Sequence, residues 1–222
     1  MENTQHNISH WLMRLNMLGD VIKLSILFNS AELLKEIATF AGDWKQYNPR
    51  KSIGRMGLSI TSYDGKLSGI PDLDSLLEYN IQNGTDYKTE ECNILTPVYH
   101  NSKILQQIIE PWKSYIGRSH FLKLNSGGFF PEHRDSYDIG EIQPDFTPVI
   151  RLIGFVKNCQ SSSFKFIIND QLQRFEQGKL YYFNSMLPHS LFSFKDDCIM
   201  IVFVVKFDYF LYRYIVSNLD QS

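Results

Sequence analysis

Three residues carry the chemistry this chain could perform. His133 and Asp135 stand two apart in "FFPEHRDSY", and His189 follows much later in "LPHSLF". On an extended stretch, residues two apart project to one face, so His133 and Asp135 could meet one ion while Arg134 points away. A histidine and an acid at that spacing are common and decide little alone. His189, at the start of a later strand, supplies the third ligand. Two imidazoles and one carboxylate on a triangular face, with the opposite positions open, suit a non-heme Fe(II) oxygenase. The other histidines, His6, His10, His100 and His120, have no acid at ligand spacing and are read as surface or core residues.

A set of this kind must be held by strands, and the composition permits it. The chain has 222 residues with 16 Phe, 12 Tyr and 3 Trp. That aromatic content fits pleated, half-buried surfaces, and the length is ample for a real core. From His120 onward short strands are expected at His120–Leu124, Thr147–Val156, Ser163–Ile168, Gln173–Phe175, Lys179–Phe183, His189–Phe194 and Cys198–Phe207. Turn residues separate them at Gly127-Gly128, Asn169-Asp170, Gln177-Gly178 and Asp196-Asp197. Many short strands with regular turns imply a sandwich or barrel, and a jelly roll closes such a set.

The first half reads as mixed helix and strand. A helix is expected over Ile8–Leu18, a strand in "VIKLSILF", and a helix Ala31–Phe40 capped by Ser30. "GRMGLSITSYDG" reads as a strand ending in an Asp-Gly turn, with helices near Asp72–Tyr79 and Ser102–Tyr115. The expected architecture is α+β, a double-stranded β-helix of cupin-like, jelly-roll type with helices packed outside. It is one domain over 1–222, in which residues 1–118 support the barrel and 119–208 carry the metal site.

Charge and cysteine exclude other classes. A formal charge of -2 with scattered Lys and Arg gives no nucleic-acid signature. Cys92, Cys159 and Cys198 form no CxxC pair and suggest no disulfide framework. No basic-then-apolar leader opens the sequence, and no apolar run is long enough to cross a bilayer. The expectation is a cytoplasmic protein without a membrane partner.

With these residues in view, the sequence resembles the aspartyl/asparaginyl β-hydroxylase-like branch of Fe(II)/2-oxoglutarate-dependent oxygenases. The matching stretches are "GRMGLSITSYDG", "GRSHFLKLNSGGFFPEHRD", "VIRLIGFVKN" and "FEQGKLYYFNSMLPHSLFSF". The resemblance implies that His133, Asp135 and His189 ligate iron and take part in catalysis. It implies 2-oxoglutarate as cosubstrate, molecular oxygen as oxidant, and an amino acid, a similar small molecule or a peptidyl Asp, Asn or Pro as substrate. An arginine on the strand after the HxD motif is expected at Arg151, though the histidine of the family's R-x-H pattern is replaced there by Ile153. The second carboxylate-binding arginine of the family is missing, since Cys198, Ile199 and Met200 occupy its place. Arg151 is therefore the first candidate to anchor the cosubstrate, with Lys165 and Tyr181 (or Tyr182) as others. The substrate is expected to enter beside a long loop from Ser136 to Pro148, near Arg134 and Tyr137. Two other readings stay open: a jelly roll that binds a metal or ligand without turnover, and an iron oxygenase with a different cosubstrate.

Overall fold

The computed structural model describes residues 2–47, 53–67, 73–88, 91–135 and 148–221. In chain order the helices are α1 (Glu2–Met17), α2 (Ser30–Ala38), α3 (Leu73–Asn83), α4 (Pro97–His100), α5 (Lys103–Ile109) and α6 (Tyr209–Ser217). The strands of the first half are β1 (Val21–Leu27), β2 (Lys45–Gln46), β3 (Arg55–Ser59), β4 (Thr61–Ser62) and β5 (Ile94–Leu95). Eight more follow: β6 (Ile116–Leu124), β7 (Phe129–His133), β8 (Val149–Lys157), β9 (Phe164–Ile168), β10 (Gln171–Gln173), β11 (Lys179–Phe183), β12 (His189–Ser193) and β13 (Cys198–Lys206).

Those eight strands form a jelly roll. One face is ordered β11-β8-β13-β6 and the other β10-β9-β12-β7, and every pairing is antiparallel. The larger face is widened by β1 beside β11 and by β3 and β2 beside β6, giving a seven-stranded sheet.

Period-two alternation divides the larger sheet between two cores. On β13, Ile199, Ile201, Phe203 and Val205 join the core beneath the helices, while Cys198, Met200 and Val202 turn into the barrel. On β8, Ile150, Leu152 and Val156 face the helices, and Ile153 and Phe155 face inward. A strand buried on both faces needs an almost continuous apolar run, and "CIMIVFVVK" is one. Leu15 of α1, Leu33 and Ile37 of α2 and Leu211 and Ile215 of α6 cover the outer face. The helices are thereby an outer shell, and the barrel interior is left for a site.

Several boundaries differ from expectation for local reasons. The cap of α2 is Asn29, whose side chain accepts from the Glu32 N–H at 3.1 Å, and Ser30 is the first helical residue. The helix expected to reach Tyr115 stops at Ile109, and a 3₁₀ segment, Glu110–Tyr115, follows. Pro111 has no N–H to continue the α pattern. β10 is Gln171–Gln173, ahead of the expected Gln173–Phe175, because Asn169 and Asp170 take positive φ and make a two-residue hairpin turn there. α6 lies beyond the last expected strand, where no element was assigned; Asp208 starts it by accepting from the Leu211 N–H at 2.9 Å. β6 begins at Ile116, four residues before the expected start, and this proves important for the site. The loop expected from Ser136 lies outside the described residues as far as 147.

Gly178 locks β1 onto the barrel. Its N–H donates to Phe155 O and its carbonyl accepts from Phe28 N–H, each at 2.8 Å. Its φ is +81°, and a Cβ there would lie 2.7 Å from Phe28 O. Gly178→Ala combines a left-handed backbone with a backbone clash and is expected to cost about 2 kcal/mol or more. Gly84, at φ +64° with open space around it, provides the control. Gly84→Ala is expected to cost about 1 kcal/mol, from the backbone alone. Thermal melts check this, with a larger drop in Tm for the Gly178 variant by roughly 2–4 °C per kcal/mol.

Candidate metal centre

β7 and β12 bring the two histidines face to face. In the antiparallel ladder His133 lies directly opposite His189, and their ring centroids are 4.2 Å apart. The route by which β7 achieves this is irregular. Leu191 pairs with Phe130 and His189 with His133, so two steps on β12 match three on β7. The extra residue is a β-bulge at Pro131-Glu132. Phe130 faces the interior, so in a regular strand Glu132 would face it too. The bulge changes that parity: His133 and Asp135 turn inward, and Glu132 and Arg134 are exposed. Pro131 is tolerated because β7 is an edge strand. Asp135, just beyond β7, is fixed by its N–H donating to Ser185 O at 2.9 Å.

Ligand atoms of His133, Asp135 and His189 all lie within 4.8 Å of one another. Their proton states suit a cation. His133 Nδ1 is 2.8 Å from Pro131 O and His189 Nδ1 is 2.9 Å from Leu187 O. A carbonyl only accepts, so both Nδ1 atoms carry the proton and both Nε2 lone pairs are left for the centre. Burial holds His189 below the usual imidazole range, and the nearby His133 and Arg151 add to this against Asp135 and the Leu187 carbonyl, so the ring is neutral at pH 7. For Asp135, burial pushes upward, but Arg151, the two histidines and a Ser185 hydrogen bond outweigh it and keep the carboxylate ionised. Phe183 and Phe166 frame the His189 ring, at 5.3 and 6.3 Å between centroids.

The triad lines a cavity of about 560 Å³, open space at its mouth included. Its wall on the larger sheet carries Arg151 from β8 and Arg118 and His120 from β6. Arg151 is 8% exposed, and its Nε donates to Asp135 Oδ2 at 3.0 Å. Its Nη1 is buried without a partner, as is Nδ1 of His120.

The other two expected cosubstrate residues lie elsewhere. Lys165 is not in this cavity: on β9 it alternates with the inward Phe164 and Phe166, and it lines a separate surface hollow with Phe129, Ile167 and Phe192. Tyr181 is buried against Phe155 and Phe175, and its hydroxyl accepts from Glu176 N–H at 2.9 Å, apart from the cavity lining. Tyr182 points to the opposite face, where its hydroxyl meets Asn16. Arg134 is described and exposed; Tyr137 lies outside the described residues. Two lining residues were missed. His120 was set aside as incidental, and Arg118 fell outside a strand taken to begin at His120. The available signal was their spacing, since residues two apart on one strand share a face.

Burial pushes His120 down to about 3, with Arg118 and Arg151 adding repulsion. The unfolded chain protonates this imidazole below about 6.5, whereas the folded chain does not until about 3. Unfolding thus takes up a proton in that window, and stability falls as the pH is lowered through it. In His120→Asn the fall between pH 6 and 4 is expected to be shallower by one proton, about 1.4 kcal/mol per pH unit. Denaturant unfolding at a series of pH values measures it.

The chain matches no protein-family model and no curated protein. Among solved structures, a prolyl-4-hydroxylase from Pseudomonas putida is similar at 11% identity, covering 86% of this chain and 95% of that one with a TM-score of 0.47. The viral collagen prolyl hydroxylase vCPH from Paramecium Bursaria Chlorella virus-1, in a 2OG complex, is similar at 10% identity, covering 85% and 97% with a TM-score of 0.45. KdgF from Halomonas sp. is similar at 8% identity, covering 76% and 89% with a TM-score of 0.36. All three scores lie below 0.5, so the jelly-roll assignment rests on the strand order and pairing given above.

Proposed function

We propose that the chain is an Fe(II)- and 2-oxoglutarate-dependent dioxygenase that hydroxylates an amino acid, a similar small molecule, or a peptidyl Asp, Asn or Pro residue. The observation that carries this reading is the pair of Nδ1–H bonds to Pro131 O and Leu187 O. They leave two Nε2 lone pairs and the Asp135 carboxylate directed at one point. A donor set of two imidazoles and one carboxylate lining a cavity fits a ferrous ion that must keep positions free.

His133, Asp135 and His189 would hold the metal. Together, Fe(II) and 2-oxoglutarate supply hydroxylation of an unactivated C–H bond by molecular oxygen, the keto acid leaving as succinate and carbon dioxide. The protein's own residues set the conditions for it. Arg151 fixes the Asp135 carboxylate through Nε and keeps it charged, and its Nη1 is free for an anionic group in the cavity. Phe166, Phe183 and Leu191 exclude water from the buried side of His189. In this reading residues 1–222 act as one oxygenase domain, the segment 1–118 supporting the barrel and 119–208 carrying the site. The narrower likeness to the aspartyl/asparaginyl β-hydroxylase-like branch and a cytoplasmic location belong to the same proposal. No described helix is long and apolar enough to cross a membrane, and the three cysteines are free and buried.

Anaerobic titration of the Fe(II)-loaded chain with 2-oxoglutarate tests the reading. A visible metal-to-ligand charge-transfer band is expected in the wild type. His189→Ala is expected to abolish it and to weaken Fe(II) binding more than about a hundredfold, beyond the usual loss from a ligand's hydrogen-bond partner. Arg151→Ala is expected to need more 2-oxoglutarate for the same band. Tight Fe(II) binding with no band at any 2-oxoglutarate concentration would sink the cosubstrate and favour an oxygenase with another, or a binding protein.

A further inference from the structure

The cavity wall opposite the triad holds more cationic character than the mechanism above uses. Arg118 and Arg151 both line it, on strands that flank β13. Arg151 pairs across the ladder with Val204, and Arg118 lies beside Val204 on the other side, where the β6–β13 register slips between Phe203 and Val205. β13 itself presents only Met200, Val202 and Val204 to the cavity. Two guanidinium groups thus straddle an apolar strand that offers neither a counter-charge.

The charge balance points to a ligand. Among the described lining residues the ionised groups are two arginines and one carboxylate, Asp135, and that carboxylate is held by Arg151 Nε. Arg118 makes no hydrogen bond or ion pair with any described residue. Arg151 Nη1 and His120 Nδ1 are buried and unpartnered. Buried polar groups left in that state are costly and rare, so two of them on residues lining one cavity, beside the half-buried Arg118, call for an oxyanion. A divalent metal at the triad adds two more positive charges. An occupant with one anionic end at the metal and another at the arginines neutralises both.

We propose that Arg118, with Arg151 and His120, forms a carboxylate clamp across Val204 that selects a dicarboxylate over a monocarboxylate cosubstrate. This rests on the 2-oxoglutarate reading and gives β6, in place of β13, the anchoring role. The planar guanidinium forks suit the two oxygens of a carboxylate. His120, which can stay neutral while burying its ring, supplies the remaining contact through Nδ1.

Calorimetric titration of the full chain loaded with Mn(II), under nitrogen, separates the possibilities without turnover. The probes are 2-oxoglutarate, 2-oxopentanoate (the same keto-acid end without the far carboxylate), glutarate and inorganic phosphate. In the wild type 2-oxoglutarate is expected to bind at least tenfold, and up to about a hundredfold, tighter than 2-oxopentanoate, the range for charge-assisted hydrogen bonds. Arg118→Gln is expected to remove most of that difference while leaving 2-oxopentanoate and Mn(II) affinity unchanged, and Arg118→Lys to restore part of it. Circular dichroism of both variants confirms that they fold. Unchanged 2-oxoglutarate affinity in Arg118→Gln overturns the clamp and leaves the oxygenase reading intact. A wild type that binds neither keto acid but binds glutarate through Arg118 overturns the oxygenase reading and keeps the clamp. Phosphate bound more tightly than any carboxylate overturns the assignment to a dicarboxylate.

Discussion

The contact on which the rest of the site depends is the 3.0 Å ion pair from Arg151 Nε to Asp135 Oδ2. It joins the two faces of the jelly roll, since Arg151 belongs to β8 and Asp135 follows the edge strand β7. Burial alone pushes the Asp135 carboxyl toward its neutral form, and a neutral acid is a poor metal ligand. Arg151 is the largest of the influences that oppose it, ahead of the two histidines and the Ser185 hydrogen bond. It also occupies one oxygen and leaves the other toward the histidines, with Oδ1 3.9 Å from His133 Nε2. One side chain thus contributes most to the charge state and holds one of the two oxygens.

Around that contact the backbone settles the remaining degrees of freedom. Each histidine donates Nδ1–H to the carbonyl two residues before it, at Pro131 and at Leu187. Pro131 lies on β7 itself and Leu187 just before β12, so ring orientation follows from strand placement. The placement itself comes from the bulge in β7, one extra residue that turns His133 inward. An edge strand can carry such a bulge and a proline cheaply, which a central strand could not. The candidate metal centre sits on the edge of the smaller sheet for that reason, while the central strands β8 and β13 supply the wall.

The sequence made parts of this legible and concealed others for identifiable reasons. The three proposed ligands were readable because metal chemistry needs particular residue types at a few spacings. The barrel was readable because the strands from Lys179 to Lys206 alternate or run continuously apolar between clear turns. The bulge was not readable, because parity is defined only against a partner strand. Lys165 and Tyr181 show the same limit from opposite sides. The alternation of Lys165 with Phe164 and Phe166 already implied an outward lysine, whereas nothing local says that Tyr181, though inward, is spent on the Glu176 N–H. Arg118 was lost through a boundary four residues late, an error that removes a residue from consideration altogether.

That loss bears on what a missing motif residue means. The lack of an arginine at Cys198 to Met200 left Arg151, Lys165 and Tyr181 as the candidate anchors for the cosubstrate. In three dimensions the relevant quantity is cationic charge at one depth of the barrel, and any strand that reaches that depth can provide it. β6 and β8 both border β13, so side chains on either can close over a valine that β13 places between them. With both arginines on flanking strands, β13 lines the cavity only with the apolar Met200, Val202 and Val204, as its burial on both faces favours. This arrangement also lets one of the two, Arg151, serve the metal ligand and the cavity at once. A pattern read along the chain registers a vacancy where the folded barrel brings Arg118 and Arg151 to one cavity.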